Sequence, residues 1–168
     1  VLGQAMLLRG TDPKIILDKV FSAAQKSDPR AREPFLARGW LALEKNDAAL
    51  AARAFQEGLK VFPDDADLHH GLGEAYATSD RDAMGTEIEA ALKLNPNLFW
   101  STVNLGHAYL FLGRYNEAIE QYRSVKDRNH SEDGKRKYAD EIRDDFDIFR
   151  RLELRLPDMD RVLRELSI

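Results

Sequence analysis

Apolar residues along this chain fall into short stripes at helical spacing, separated by polar turns at a nearly constant interval. Ile16, Val20, Phe21 and Ala24 make one stripe; Phe35, Gly39 and Ala42 make the next. After the turn Lys45-Asn46-Asp47 come Ala51, Phe55 and Gly58. The pattern returns as Leu72, Gly73 and Tyr76 with Ile88 and Ala91, then as Leu105, Gly106 and Tyr109 with Ala118 and Tyr122. Pro29, Pro63 and Pro96 mark the beat, 34 and 33 residues apart. Proline lacks the N–H that a helix interior needs and fits its first turn, so each one closes a helix and opens the next. Helix–turn–helix units recurring at this interval cannot bury their apolar faces alone and are expected to stack.

The spacing divides the chain into an array over residues 1–130 and a different segment over 131–168. The array holds a partial unit, 1–29, and whole units at 30–63, 64–96 and 97–130. In the first, Gly10 closes residues 1–9, and Asp12-Pro13 form an N-cap and first-turn pair. Asp47 is the expected N-cap of the helix that follows it. The 64–96 unit is one residue short, and the turn Thr78-Ser79-Asp80-Arg81 is the expected place of the loss. Its second helix carries Gly85, and a helical glycine costs about 1 kcal/mol relative to alanine, so this helix is expected to be the least stable. A polar linker, Asp127 to Lys135, ends the array. Beyond it Ala139, Ile142, Phe146 and Phe149 line one side of a helix, and Met159, Val162, Leu163 and Leu166 line another after Leu156-Pro157-Asp158. Neither keeps the glycine and alanine positions of the array, which suits a pair that caps the stack with one apolar and one polar face.

Composition narrows the function classes. The chain of 168 residues is 43% hydrophobic and 32% charged, a balance that supports a folded core. Its net charge of -4 gives no electrostatic footprint for nucleic acid or an anionic membrane. Residues 123–168 carry 12 basic and 12 acidic side chains, so the acidity falls on the array. With no cysteine there are no disulfides, thiolate nucleophiles or zinc–cysteine sites. No apolar run approaches the roughly 18–20 residues that span a membrane. The sequence starts at Val1 without methionine, reads as an excerpt of a longer protein, and suits the cytoplasm best.

The fullest unit, Thr102 to Ser124, contains Leu105-Gly106-x-x-Tyr109, then Gly113-x-Tyr115-x-x-Ala118-x-x-x-Tyr122. This resembles the tetratricopeptide repeat, and the resemblance covers roughly residues 12–126. Arg38 departs from it, standing where the family usually has leucine. The resemblance implies an all-α fold, a right-handed superhelix of stacked antiparallel helix pairs whose first helices line a concave groove. It also implies a non-catalytic scaffold that binds a peptide or a helix of a partner protein there. By the family's pattern, Glu33, Leu36, Ala37, Trp40 and Glu44 fall on the groove in one unit. Asp67, His70, Gly71, Glu74 and Ala77 do so in the next, and Trp100, Val103, Asn104, His107 and Phe111 in the last. Some relatives grip a C-terminal carboxylate with Lys, Arg and Asn at such positions; only Asn104 of that set is present, so no carboxylate clamp is expected. The groove reads instead as acidic with aromatic anchors at Trp40, Trp100 and Phe111, suited to a basic or amphipathic segment.

Sites for chemistry are few. His70 and Glu74 share a helix face, and His107 stands one unit on, a possible set of metal ligands. Packed helices place such equivalent positions roughly 10 Å apart, too far for one ion. No nucleophile elbow, phosphate loop or dinucleotide glycine pattern occurs. Pairs such as Asp64-Asp65 and Asp144-Asp145 read as capping or solvated faces. No catalytic residue, metal or cofactor is therefore assigned. The second reading is a structural or dimerising segment of a larger multidomain protein, present as a monomer or a homodimer.

Overall fold

The computed structural model describes residues 22–28, 31–154 and 158–168, and all of the named elements are α-helices. They are α1 (Ser22–Ser27), α2 (Glu33–Glu44), α3 (Ala48–Leu59), α4 (Ala66–Tyr76), α5 (Arg81–Leu94), α6 (Phe99–Phe111), α7 (Tyr115–Val125), α8 (Tyr138–Arg151) and α9 (Met159–Leu166). The expectations for residues 1–21, for the Ala24 side chain, for Pro29 and for Leu156-Pro157 lie outside the described residues. No helix among those described is long and apolar enough to cross a membrane.

Local chemistry starts and stops these helices. Asp47, Asp65 and Asp80 precede α3, α4 and α5, and their side chains accept the N–H of Leu50, Leu68 and Ala83 at 2.9, 3.0 and 3.0 Å. Each satisfies a donor that the first helical turn leaves open. Asn46 (φ 57°) and Gly113 (φ 73°) turn the chain between α2 and α3 and between α6 and α7. The linker is not featureless: Asn129 and Lys137 pair as an isolated bridge, and Gly134 takes a φ of 69° at the tip. The residue missing from the 64–96 unit is absorbed by α4 itself rather than by the turn. That helix stops at Tyr76, three residues past Gly73, whereas α2 and α6 run five residues past Gly39 and Gly106.

Helices pack as consecutive pairs, α2 with α3, α4 with α5 and α6 with α7, and each pair lies against the next. A large side chain on every second helix rests on a glycine of the first: Phe55 on Gly39, Ile88 on Gly73 and Tyr122 on Gly106. Phe55 also lies on Gly71 of the following pair. The core forms two clusters that meet at half-buried Tyr76. One is centred on Phe55 and Leu68. The other, around Tyr122, takes in Ile142 and Phe146 of α8 and Met159, Val162 and Leu166 of α9. α8 covers α6 and α7, while α9 lies on α7, where Glu165 accepts from Tyr115 Oη and Arg123 at 2.5 Å each.

Two glycines give opposite expectations. At Gly106 a methyl group would overlap the ring of Tyr122, which is fully buried with its hydroxyl already bonded. Gly106→Ala is expected to destabilise by about 1–3 kcal/mol, the usual scale of overpacking. At Gly85 the nearest atom to an added Cβ is Ala108 Cβ at 3.9 Å, an ordinary contact. Gly85→Ala is expected to stabilise by about 1 kcal/mol through helix propensity. Urea unfolding midpoints of the two variants check both signs.

Candidate functional site

The first helices α2, α4 and α6 carry most of the expected groove residues, and the structure sorts them by what they touch. Glu33 and Glu44 are exposed at the two ends of α2. Trp40 is half-buried, edge-on to Phe55 with ring centroids 5.2 Å apart and tilted over His70 at 5.7 Å. Asp67 pairs with Arg32, which also holds Asp65. Gly71 and Val103 belong to the interior: Gly71 lies under Phe55, and Val103 is 1% exposed.

The stretch between α4 and α6 is a polar cluster centred on Glu74. One oxygen, Oε1, accepts from Trp100 Nε1 at 3.1 Å and Asn104 Nδ2 at 3.0 Å, and lies 3.1 Å from His70 Nε2. His70 Nδ1 in turn lies 2.9 Å from Ser101 Oγ. Helical geometry makes this possible, since His70 and Glu74 are four apart on α4 and Trp100 and Asn104 four apart on α6. Burial pushes the Glu74 carboxyl up, but its bonds to His70, Trp100 and Asn104 outweigh that and hold it below the ordinary glutamate range.

His107 lines the cavity at the end of the groove, where α8 covers it. It is 3% exposed, covered by α8, with Nδ1 2.8 Å from Tyr122 Oη and Nε2 3.0 Å from Asp145. Phe146 and Phe149 flank its ring at 5.7 and 5.0 Å. The physical reason is that α8, without the repeat's register, still occupies the place beside α6 where a further first helix would pack. Asp145, read from sequence as solvated, is therefore a buried partner's acceptor, while Asp144 pairs at the surface with Arg136. His70 and Glu74 are bonded to each other but His107 is engaged elsewhere. Among the described residues no group of three or more His, Asp or Glu is placed to hold a metal ion.

Between α4, α6 and α8 lies a cavity of about 250 Å3. α6 lends it Trp100, Asn104 and Phe111, and α8 lends Phe149. Ala77 and Thr78, just past the end of α4, also line it, and Leu152 and Leu154 complete the wall beyond α8. Phe111 packs on Phe149 at 5.5 Å, and the Arg81 guanidinium lies 4.2 Å over the Phe111 ring. The sequence reading missed the α8 side of this cavity. Its signal was Phe149 on the apolar stripe with Asp145 one turn before it.

Glu74 generates a pH prediction. Because folding depresses its pKa, its contribution to stability is complete above the unfolded value, about 4.3, and is lost as pH falls through the lower folded value. Glu74→Gln keeps the acceptor oxygen but not the charge. The stability difference between native chain and variant is expected to be larger at pH 6 than at pH 3 (both well to either side of about 4.3), read from urea midpoints.

A family profile described as "Tetratricopeptide repeat" matches residues 87–120. The chain is 30% identical over 118 residues to "Superkiller complex protein 3" of Mus musculus, covering 68% of this chain and 7% of that protein. It is 29% identical over 91 residues to "Small glutamine-rich tetratricopeptide repeat-containing protein 2" of Saccharomyces cerevisiae, covering 54% of the chain and 26% of the relative. It thus spans a small part of the curated relatives it matches. Among solved structures it resembles MamA, with a TM-score of 0.65 at 22% identity, over 73% of this chain and 71% of that one. It also resembles the type IV pilus biogenesis factor PilW, with a TM-score of 0.62 at 20% identity, over 73% and 57% of the two chains. The phased glycines, the consecutive helix pairs and these likenesses agree: the chain is a tetratricopeptide-repeat protein, of a kind whose general work is protein–protein interaction.

Proposed function

We propose that this chain is a non-catalytic binding module that holds a peptide or helix of a partner protein against the face formed by α2, α4 and α6. The observation that carries this reading is the aromatic-walled cavity between α4, α6 and α8, continuous through Glu74 and His70 with half-buried Trp40. Concave, mostly apolar sites with a few placed polar groups are where binding energy concentrates. The acids of this face are less available for steering than the sequence suggests. Arg32 takes Asp67, and the cluster around Glu74 takes one of its oxygens, so among the described residues only Glu33 and Glu44 are fully exposed acids of this face. The aromatic residues therefore supply anchoring, and the net acidity of the array adds only a weak pull on a basic segment.

A second reading, assembly within a larger protein or with another copy, draws on Ile148 and Leu152, which lie one turn apart on α8 and after it and are 43% and 64% exposed. Light scattering on the eluting full chain separates the two: a monomer favours the groove, and a dimer lost on Leu152→Glu favours assembly.

The groove reading is tested with random peptides selected by phage display on the full chain. Titrated against the Trp40→Ala, Trp100→Ala double variant, with its fold checked by circular dichroism, the selected peptides are expected to lose at least about tenfold in affinity, the scale of losing an aromatic anchor. Unchanged affinity would sink the reading.

A further inference from the structure

Two carboxylates, Glu74 and Asp145, line the cavity between α4, α6 and α8, and among the described residues no lysine or arginine does. Glu74 directs all its protein hydrogen bonds to Oε1, where Trp100, Asn104 and His70 converge. Asp145 spends Oδ2 on His107. Among the described residues, Glu74 Oε2 and Asp145 Oδ1 hold no hydrogen bond. Neither is shut off from solvent, because no buried side-chain nitrogen or oxygen among the described residues lacks a partner. The remaining wall is largely apolar, with the rings of Trp100, Phe111 and Phe149. Arg81 lies over the Phe111 ring without joining the lining.

We infer that this cavity receives one long cationic side chain, an arginine or a lysine, from the partner segment held on the concave face. The inference rests on the groove-binding reading and names the chemistry that this part of the groove recognises. The space beside the two carboxylates has room for one long side chain. The methylene stem of lysine or arginine packs along the rings while its head stays with the polar groups at the rim. Glu74 Oε2 and Asp145 Oδ1 supply the acceptors for that head, and the aromatic faces favour a positive charge near them. A neutral side chain of equal length would fill the same walls yet strip water from two carboxylate oxygens without giving them a donor. The inner ends of both carboxylates are already fixed by protein hydrogen bonds, so a bound cation meets acceptors that need little reordering.

The test takes phage-selected peptides that bind the full chain and lose affinity on the Trp40→Ala, Trp100→Ala variant. Each lysine or arginine in them is replaced in turn by norleucine, which keeps the stem and removes the charge. At one position the replacement is expected to weaken binding to the native chain about tenfold or more, the range of a hydrogen bond to a charged group. On a Glu74→Gln, Asp145→Asn variant the same replacement is expected to change little, since amides keep the internal acceptors but not the charge. Equal affinity of every norleucine peptide for the native chain overturns the cationic pocket and leaves the groove reading standing. Selection of no peptide sensitive to the two tryptophans overturns both. The norleucine comparison on the native chain decides the matter even where the double variant folds poorly.

Discussion

The separation of the helices depends on one repeated contact, a large side chain of each second helix resting on a glycine of the helix before it. Phe55, Ile88 and Tyr122 fill this role on Gly39, Gly73 and Gly106. Interiors pack at crystal-like density, so a single methyl at the contact point would push a whole helix outward. Phe55 goes further and also lies on Gly71, which draws α2 against α4. In the next unit the residue two before the glycine is Asn104, not a second glycine. There α4 and α6 do not close on a ring. Asn104 and Trp100 reach across to Glu74, and the cavity opens beside them. Two changes at repeated positions, Ile88 for Phe55 and Asn104 for Gly71, thus accompany a lined space in place of a sealed seam.

The end of the array is closed by a different device. α8 brings no glycine for Tyr122, so its register is fixed by a buried polar chain from Tyr122 through His107 to Asp145. A histidine 3% exposed needs both ring nitrogens satisfied, and Asp145 of α8 satisfies the second. Phe146 and Phe149 then pack around the imidazole. The polar chain sets position, and the apolar rings supply the burial.

These two devices differ in how far the sequence discloses them. Contacts that recur leave a period, which is why Gly39, Gly73 and Gly106, the helix pairs and the cap at Asp47 were legible beforehand. The Tyr122–His107–Asp145 chain occurs once and spans segments with unrelated patterns. Asp145 beside Asp144 looks like a solvated face, because nothing local distinguishes the residue that turns inward. His107 occupies a groove position by register, and a helix outside that register covers it. The spacing shows the unit to be short by one residue, but not that α4 is the element that ends early.

The location of the cavity follows from the same division. It sits where the repeat rule gives way to the cap, between an α4 that ends early, an α6 with asparagine in place of glycine, and an α8 placed by hydrogen bonds. A group held there touches all three helices at once, including Phe149 of α8 and Trp100 of α6. Whatever binds the arranged state and not the separated one stabilises that arrangement in proportion to its affinity. On the proposed groove reading, a side chain held in the cavity stabilises the seating of α8 on the array, which makes the cap part of the proposed binding surface.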